Sequence, residues 1–338
     1  MRRFLGVDIG GTKCAIVLGT DEPRVIERTS FPTEVERGPG HAISRIAEVV
    51  ARFARRADRA QGIAAVGVSC GGPLDSGRGV ILSPPNLPGW DRIEIVSILE
   101  RETGLPVFLQ NDADACALAE WRWGAGRGCR DMIFLTFGTG MGAGLILGGR
   151  LYSGASGMAG EVGHVRLATD GPIGYGKRGS FEGFASGGGI AQLAREEVAH
   201  RHERGEPVLF APTPEEANRL TAREVIAAAE GGDPVALSIV ESSASYLGRG
   251  LAMLIDILNP ERIVIGSIFA RAERLFRGRV EEVIRQEALE PSRLRCSVVP
   301  AALGEQIGDF ASLCVALEGS RVREEPTSGE RQAERDEE

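Results

Sequence analysis

The sequence lacks a membrane span, a basic stripe and a paired-cysteine motif, and each absence removes a class of function. No apolar run approaches the roughly 20 residues that a spanning helix needs, so no membrane segment is expected. The net charge is −8 with no local cluster of Lys and Arg, which argues against a nucleic-acid partner, because phosphate backbones are held by clustered cations. The six cysteines, Cys14, Cys70, Cys116, Cys129, Cys296 and Cys314, are scattered in apolar surroundings without CxxC spacing. They read as buried thiols of a cytoplasmic protein, and no zinc site is expected from them. Histidine is scarce, and of the four only His164 has a suggestive context. Met-Arg-Arg-Phe-Leu enters a strand pattern directly, with no h-region or cleavage site, so no signal peptide is expected.

What is present is ordinary for a globular protein: 43% hydrophobic and 25% charged residues over 338 positions, enough for two domains with separate cores. The chain is organised around Phe4 to Gly19, where two Val/Ile/Leu-rich runs flank Asp8-Ile9-Gly10-Gly11-Thr12-Lys13. The runs predict a β-hairpin. Its turn has two readings. Gly10 and Gly11 can take positive φ and bring backbone N–H groups to an anion, Thr12 and Lys13 add donors, and Asp8 can hold a cation, which together suit a nucleotide phosphate with Mg²⁺. The plainer reading is a tight turn with a solvated Asp and Lys.

The pattern then predicts a strand over Val25 to Phe31, a helix over His41 to Ala57 and a strand over Ile63 to Ser69. That strand ends in Cys70-Gly71-Gly72-Pro73, a loop at a strand's C-terminal end, where open α/β sheets bind ligands. Ser83 to Trp90 is too rich in proline for helix or strand; its Asn86 offers a donor and an acceptor to a polyol, or bonds its own turn. A helix over Ile93 to Glu102, a strand over Val107 to Leu109 and a helix over Ala113 to Trp123 follow, with Gln110-Asn111-Asp112 at the junction. Asp112 near an N-cap position reads as a cap, or as a base facing a sugar hydroxyl.

The opening pattern then returns. Met132 to Leu135 and Ala143 to Leu147 flank Thr136-Phe137-Gly138-Thr139-Gly140-Met141-Gly142, repeating strand, small-residue turn and strand. Two such hairpins in one chain point to a duplicated domain. In the glycine-rich segment after them, Glu161 and His164 can face one ligand, or be a solvated charge and a satisfied core histidine. The second half reads as helices over Gly189 to Glu203, Thr221 to Gly231 and Val235 to Leu258, a strand over Ile263 to Ile265, a helix around Arg271 to Glu287 and a strand over Cys296 to Val299. A last helix runs through Leu317, and the charged residues from Arg321 to Glu338 are expected to be a disordered tail.

The motifs DIGGTK at Asp8, SPPNLPGW at Ser83, QNDADACALAE at Gln110, FGTGMGAGLI at Phe137 and GASGMAGEVGH at Gly154, with a weaker LNPERIVIGS at Leu258, occur in order. In these the chain resembles the ROK family of sugar kinases from Phe4 to about Leu317. The resemblance implies an α/β fold of duplicated actin/hexokinase-like (ribonuclease H-like) domains around a central cleft, with residues 1–112 completed by a helix at about 309–320, and 113–308 as the larger domain. It implies that Asp112 is the catalytic base, and that Gly72, Asn86, Asn111, Glu161, His164 and Glu182 hold the sugar. ATP would lie against Asp8, Gly10, Gly11, Thr12 and Lys13 and against Gly138, Thr139, Gly140 and Gly142. Gly266 and Ser267 would lie near the adenosine, and Asp8 would carry Mg²⁺. A homodimer is also implied. Some ROK members are repressors with an N-terminal helix-turn-helix; here the hairpin begins at Phe4, which favours a kinase. Where many relatives carry three zinc-binding cysteines, this chain has Ile173, Tyr175 and Ser180. No zinc is therefore expected, and the loop is expected to be held by packing of Ile173, Tyr175 and Phe181.

Overall fold

A computed structural model describes residues 1–56 and 62–324 of the chain. They divide into two compact units. Unit 1 contains Met1–Trp123, Ala155–Gly157 and the segment from Glu305 onward; unit 2 contains Gly124–Gly154 and Met158–Gly304.

Unit 1 is built on strands β1 (Arg3–Ile9), β2 (Lys13–Thr20), β3 (Val25–Pro32), β4 (Ile63–Cys70) and β7 (Val107–Asn111), with a small separate hairpin of β5 (Leu74–Asp75) and β6 (Val80–Ile81). The five-stranded sheet has the order β3-β2-β1-β4-β7. Its first two pairings are antiparallel and its last two parallel. The near-continuous apolar runs of β1, β2 and β4 are buried because they are covered on both faces, whereas edge strand β3 alternates half-buried and exposed positions, with Phe31 buried near its end. Helices α1 (Pro39–Arg56) and α2 (Ile95–Thr103) share a core with Leu5, Val7, Ile9 and Ile16. The opposite face carries α3 (Asp112–Trp123) and the C-terminal helix Ile307–Glu324, which packs on β1, β4 and α3. Gly6 and Gly67 make that contact close: side chains there would run into Ser312, Leu313 and Ala316.

Unit 2 repeats the plan with β8 (Met132–Leu135), β9 (Ala143–Leu147), β10 (Arg150–Leu151), β13 (Arg262–Ile265) and β14 (Ser297–Pro300), in the order β10-β9-β8-β13-β14. Two antiparallel pairings are again followed by two parallel ones. Between β10 and β13 lie the hairpin β11 (Ile173–Gly174) and β12 (Lys177–Arg178) and helices α4 (Phe181–Phe184), α5 (Gly187–Glu203), α6 (Pro214–Arg219), α7 (Ala222–Glu230) and α8 (Pro234–Leu258). Helices α9 (Ser267–Glu287) and α10 (Glu290–Arg293) separate β13 from β14. Local chemistry sets the helix ends. Asp233 caps α8 by accepting from Val235 and Ala236 N–H, with Pro234 in its first turn, and Asn259 ends it in the left-handed region.

The structure departs from the sequence expectations at several points. The C-terminal helix continues through Glu324, so Arg321–Glu324 form its last turn rather than the start of a tail. Arg321 pairs with Glu318 at 2.6 Å and Glu324 with Arg2 at 2.6 Å. A nucleated helix extends through charged residues when they find such partners. Ala57 and residues 325–338 lie outside the described residues. The short elements β5, β6, β10, β11, β12, α6 and α10 carry too few residues for a visible period. Helix α3 starts at Asp112 itself, one residue early, because Asn111 takes the capping role: its Oδ1 accepts from Ala113 N–H at 2.9 Å.

Candidate active site

In unit 1 the predicted residues converge at the C-terminal ends of the parallel strands. The loop Ser83–Trp90 is anchored by Leu87 and Trp90, both fully buried, and presents Asn86, just before Leu87, at the surface. A methyl group on Gly71 would lie 3.4 Å from Asn86 Oδ1 and 3.8 Å from Asp112 Oδ2. One on Gly72 would lie 3.1 Å from Asn111 Nδ2. Two amides and one carboxylate therefore stand over the backbone of Gly71–Gly72. The other oxygen of Asp112, Oδ1, accepts from Ala113 N–H at 2.8 Å. Solvent reaches Asp112, yet protein rings its carboxylate. That loss of hydration raises its pKa, opposed by the backbone hydrogen bonds from Ala113 and its own N–H.

The first glycine turn lies in the same unit. Gly10 N–H donates to Lys13 O at 3.1 Å, and Thr33 closes the turn by donating its hydroxyl to Gly10 O at 2.6 Å and its N–H to Thr12 O at 3.0 Å. Neither Gly10 nor Gly11 has positive φ, contrary to the expectation from sequence. Gly11 is required because the Asn86 carbonyl occupies the space of a side chain. Thr12 and Lys13 are exposed at the tip. Asp8, at the end of β1, is raised from 3.8 to about 6, chiefly by desolvation and then by the Asp112 and Asp309 charges, with Lys13 and Arg28 opposing. Asp309 itself accepts from Arg28 Nε at 2.8 and 3.1 Å. This pair escaped the sequence reading because 281 residues separate its members. Burial also pushes up the thiols of Cys14, Cys70, Cys116 and Cys314, which keeps them protonated and unreactive.

In unit 2 the turn between β8 and β9 is closed internally: Gly138 N–H donates to Gly140 O at 3.2 Å, and Gly142 N–H to Thr136 Oγ1 at 2.8 Å. Thr139 stands exposed at its tip. The start of α5 meets this turn, with Gly187 N–H donating to Gly138 O at 2.7 Å and Gly188 N–H to Thr139 O at 3.1 Å. Gly266 is the N-cap of α9, and Ser267 follows with φ of 54°. A side chain on Gly138 would lie 3.6 Å from Ser267 Oγ. Glu161 is exposed and precedes a single 3-10 turn, Val162–His164. Glu182 is half-buried, and its Oε2 accepts from Met141 N–H at 2.9 Å.

The residues next to His164 do not suit zinc. Ile173, Tyr175 and Ser180 offer no thiolate, and among the described residues no group of three His, Cys, Asp or Glu side chains is placed to hold a metal ion. The segment forms the β11–β12 hairpin, whose two turn residues Tyr175 and Gly176 both have positive φ, at 45° and 76°. The expected packing is corrected in part. Phe181 is buried against Gly250, but Ile173 and Tyr175 are 44% and 62% exposed. Polar clasps hold the hairpin instead. Gln192 both donates to and accepts from the Ile173 backbone at 2.8 and 2.9 Å, and Lys177 Nζ donates to His164 O at 2.7 Å. The Tyr175 ring meets His164 edge to face at 4.8 Å.

The sequence pattern of the ROK family matches residues 4–316. The chain belongs to the ROK family. A glucokinase of Halalkalibacterium halodurans is 35% identical over 80% of this chain and 82% of its own length. An N-acetylmannosamine kinase of Citrobacter koseri is 34% identical over 80% of this chain and 84% of its own. Among solved structures, a ROK family glucokinase from Streptomyces griseus in complex with glucose and AMPPNP superposes with a TM-score of 0.75 at 30% identity, covering 94% of this chain and 100% of that one. The duplicated sheets of this ROK chain are thus the actin/hexokinase-like α/β fold.

Proposed function

We propose that this ROK protein transfers the γ-phosphoryl group of ATP to a hexose, with glucose and its 6-OH the favoured acceptor and Asp112 the general base. The observation that carries the reading is the convergence of Asn86, Asn111 and Asp112 over Gly71–Gly72. Two amides offer donors and acceptors to a polyol, and a carboxylate with an oxygen on the same backbone can accept a hydroxyl proton. Similarity to glucokinases and to a glucokinase structure holding glucose supports it.

Phosphoryl transfer needs in-line positioning and charge neutralisation more than covalent help. Asn86, Asn111, Glu161, His164 and Glu182 hold the sugar in this reading, and Asp112 takes its proton as the O–P bond forms. Desolvation raises the pKa of Asp112, which makes it a stronger base than an ordinary aspartate. The turns at Gly10–Lys13 and Gly138–Gly142 receive the phosphates, and Gly266 and Ser267 the adenosine side. Asp8 fits Mg²⁺, which takes one or two carboxylates together with substrate phosphates. The ion would supply charge neutralisation at those phosphates. A cytoplasmic homodimer belongs to the same proposal, and sedimentation velocity tests its stoichiometry.

A second reading, N-acetylmannosamine as acceptor, is favoured by the comparably similar N-acetylmannosamine kinase. Coupled ADP-release assays over glucose, mannose, fructose, allose and N-acetylhexosamines, with and without Mg²⁺, decide between them. No release with any sugar would favour a non-catalytic sensor. The decisive variant is Asp112→Asn, which should bind ATP and sugar as the wild type does but lose at least about 100-fold in kcat, the lower range for general-base catalysis. Turnover near the wild-type rate would remove Asp112 as the base.

A further inference from the structure

Glu182 does more in this fold than face a sugar. Three segments close around its side chain, each through a glycine. In the turn between β8 and β9, a methyl on Gly140 would stand 2.8 Å from Glu182 Oε2 and 3.5 Å from its Cδ. In the Glu161–His164 turn, a methyl on Gly163 would stand 3.2 Å from Glu182 Cβ and 2.5 Å from Met141 O. In the β11–β12 hairpin, a methyl on Gly174 would stand 2.8 Å from Glu182 Cβ. The side chain is aimed from the first turn of α4, whose N-cap Ser180 accepts from Gly183 N–H at 3.1 Å. A hydrogen bond at the carboxylate spans from α4 to the glycine turn, where Met141 N–H donates to Oε2 at 2.9 Å.

We propose that Glu182 is a positioning residue for the nucleotide: it holds the Gly138–Gly142 turn in its phosphate-receiving shape through Met141 N–H, and so links sugar occupancy to nucleotide binding. This rests on the kinase reading above. A backbone N–H held by an ionised acceptor makes a stronger bond than a neutral pair, and ordering the turn in advance removes part of the entropy cost of binding a phosphate there. A sugar hydroxyl donating to the same carboxylate fixes its orientation, so sugar and nucleotide should each tighten the other's binding by one common factor.

The test is calorimetric titration of the full-length protein with Mg²⁺ and the non-hydrolysable analogue AMPPNP, with and without glucose, for the wild type, Glu182→Gln and Glu182→Ala. The amide oxygen of glutamine can still accept from Met141 N–H, whereas alanine cannot. Without sugar, Glu182→Ala should bind AMPPNP about 10-fold more weakly, equivalent to about 1.4 kcal/mol, and Glu182→Gln should stay within about 3-fold of wild type. The tightening by glucose should disappear in Glu182→Ala. Amide hydrogen exchange should show the Met141 N–H losing protection in Glu182→Ala and keeping most of it in Glu182→Gln, a readout independent of any ligand. Wild-type affinity for AMPPNP in Glu182→Ala, or unchanged Met141 protection, would overturn this proposal alone. Failure of the wild type to bind AMPPNP under any condition would refute the kinase reading and this proposal with it. If Glu182→Ala does not fold, Glu182→Leu, which keeps bulk but has no acceptor, replaces it: faster Met141 exchange together with weaker sugar-free AMPPNP binding in that variant supports the proposal, and wild-type values for both overturn it.

Discussion

Asp8 and the glycines show what single residues do in this chain. Gly11 and Gly140 are not turn glycines in the left-handed sense; each is small because another group, the Asn86 carbonyl or the Glu182 carboxylate, needs the space. Sequence marks such positions as glycine but cannot say what fills the gap, since Asn86 and Glu182 are distant along the chain. Asp8 carries a consequence for stability. Its pKa is about 6 in the folded protein against an ordinary 3.8, so between those values the folded state binds more protons than the unfolded state. Stability should therefore fall as pH rises from about 4 to about 6 and stay lowered above that, by at most about 3 kcal/mol from this residue. Urea denaturation in Mg²⁺-free, nucleotide-free buffer at pH 4.5 and pH 7 should show that loss, reduced in Asp8→Asn; an equal loss in the variant would assign it to other groups. Ser267 sits at a φ of 54° that favours glycine. Ser267→Gly should raise stability by up to about 1 kcal/mol in thermal melts while raising the KM for ATP, because the hydroxyl near Gly138 is lost with the strain.

At the scale of elements, the long pieces were legible and the short ones were not. The two hairpins, β4, β13, α5, α8 and α9 announce themselves by apolar runs or helical spacing long enough to exclude alternatives. The β11–β12 hairpin has only two residues per strand, so no period exists to read, and its clasps through Gln192 and Lys177 are tertiary. The C-terminal helix lies directly on β1 and β4 because Gly6 and Gly67 remove the side chains that would separate them. Gly67→Ala should then cost about 1 to 3 kcal/mol of unfolding free energy, since the added methyl meets the backbone of Ser312 and Ala316. Urea curves measure it, and a neutral substitution would mean the helix can shift aside without loss.

For the whole molecule, membership of the ROK family and the repeated sheet order follow from the same sequence regularity, two strand–glycine turn–strand hairpins in one chain. No described helix is long and apolar enough to cross a membrane. Two bulk measurements probe the reading. Overnight chelation should leave the melting temperature of the ligand-free protein unchanged, because Ile173, Tyr175 and Ser180 cannot ligate zinc; stoichiometric zinc by elemental analysis would contradict that. Glucose with Mg²⁺ and AMPPNP at about 100 times their dissociation constants should raise stability by about 2.7 kcal/mol for each independent site.

Taken by itself, the sequence determined the two hairpins and the long elements, because apolar periodicity and turn chemistry are local and survive without coordinates, while its ordered motifs, through their resemblance to the ROK family, implied the class of fold and most of the candidate polar residues. Only the tertiary structure decided which residues share one place. It set Asn86 and Asp112 over Gly71, joined Asp309 to Arg28, and laid the Glu182 carboxylate on Met141 N–H. Those contacts depend on sheet pairing and close backbone approach between segments far apart in the chain, and no local pattern encodes such distances.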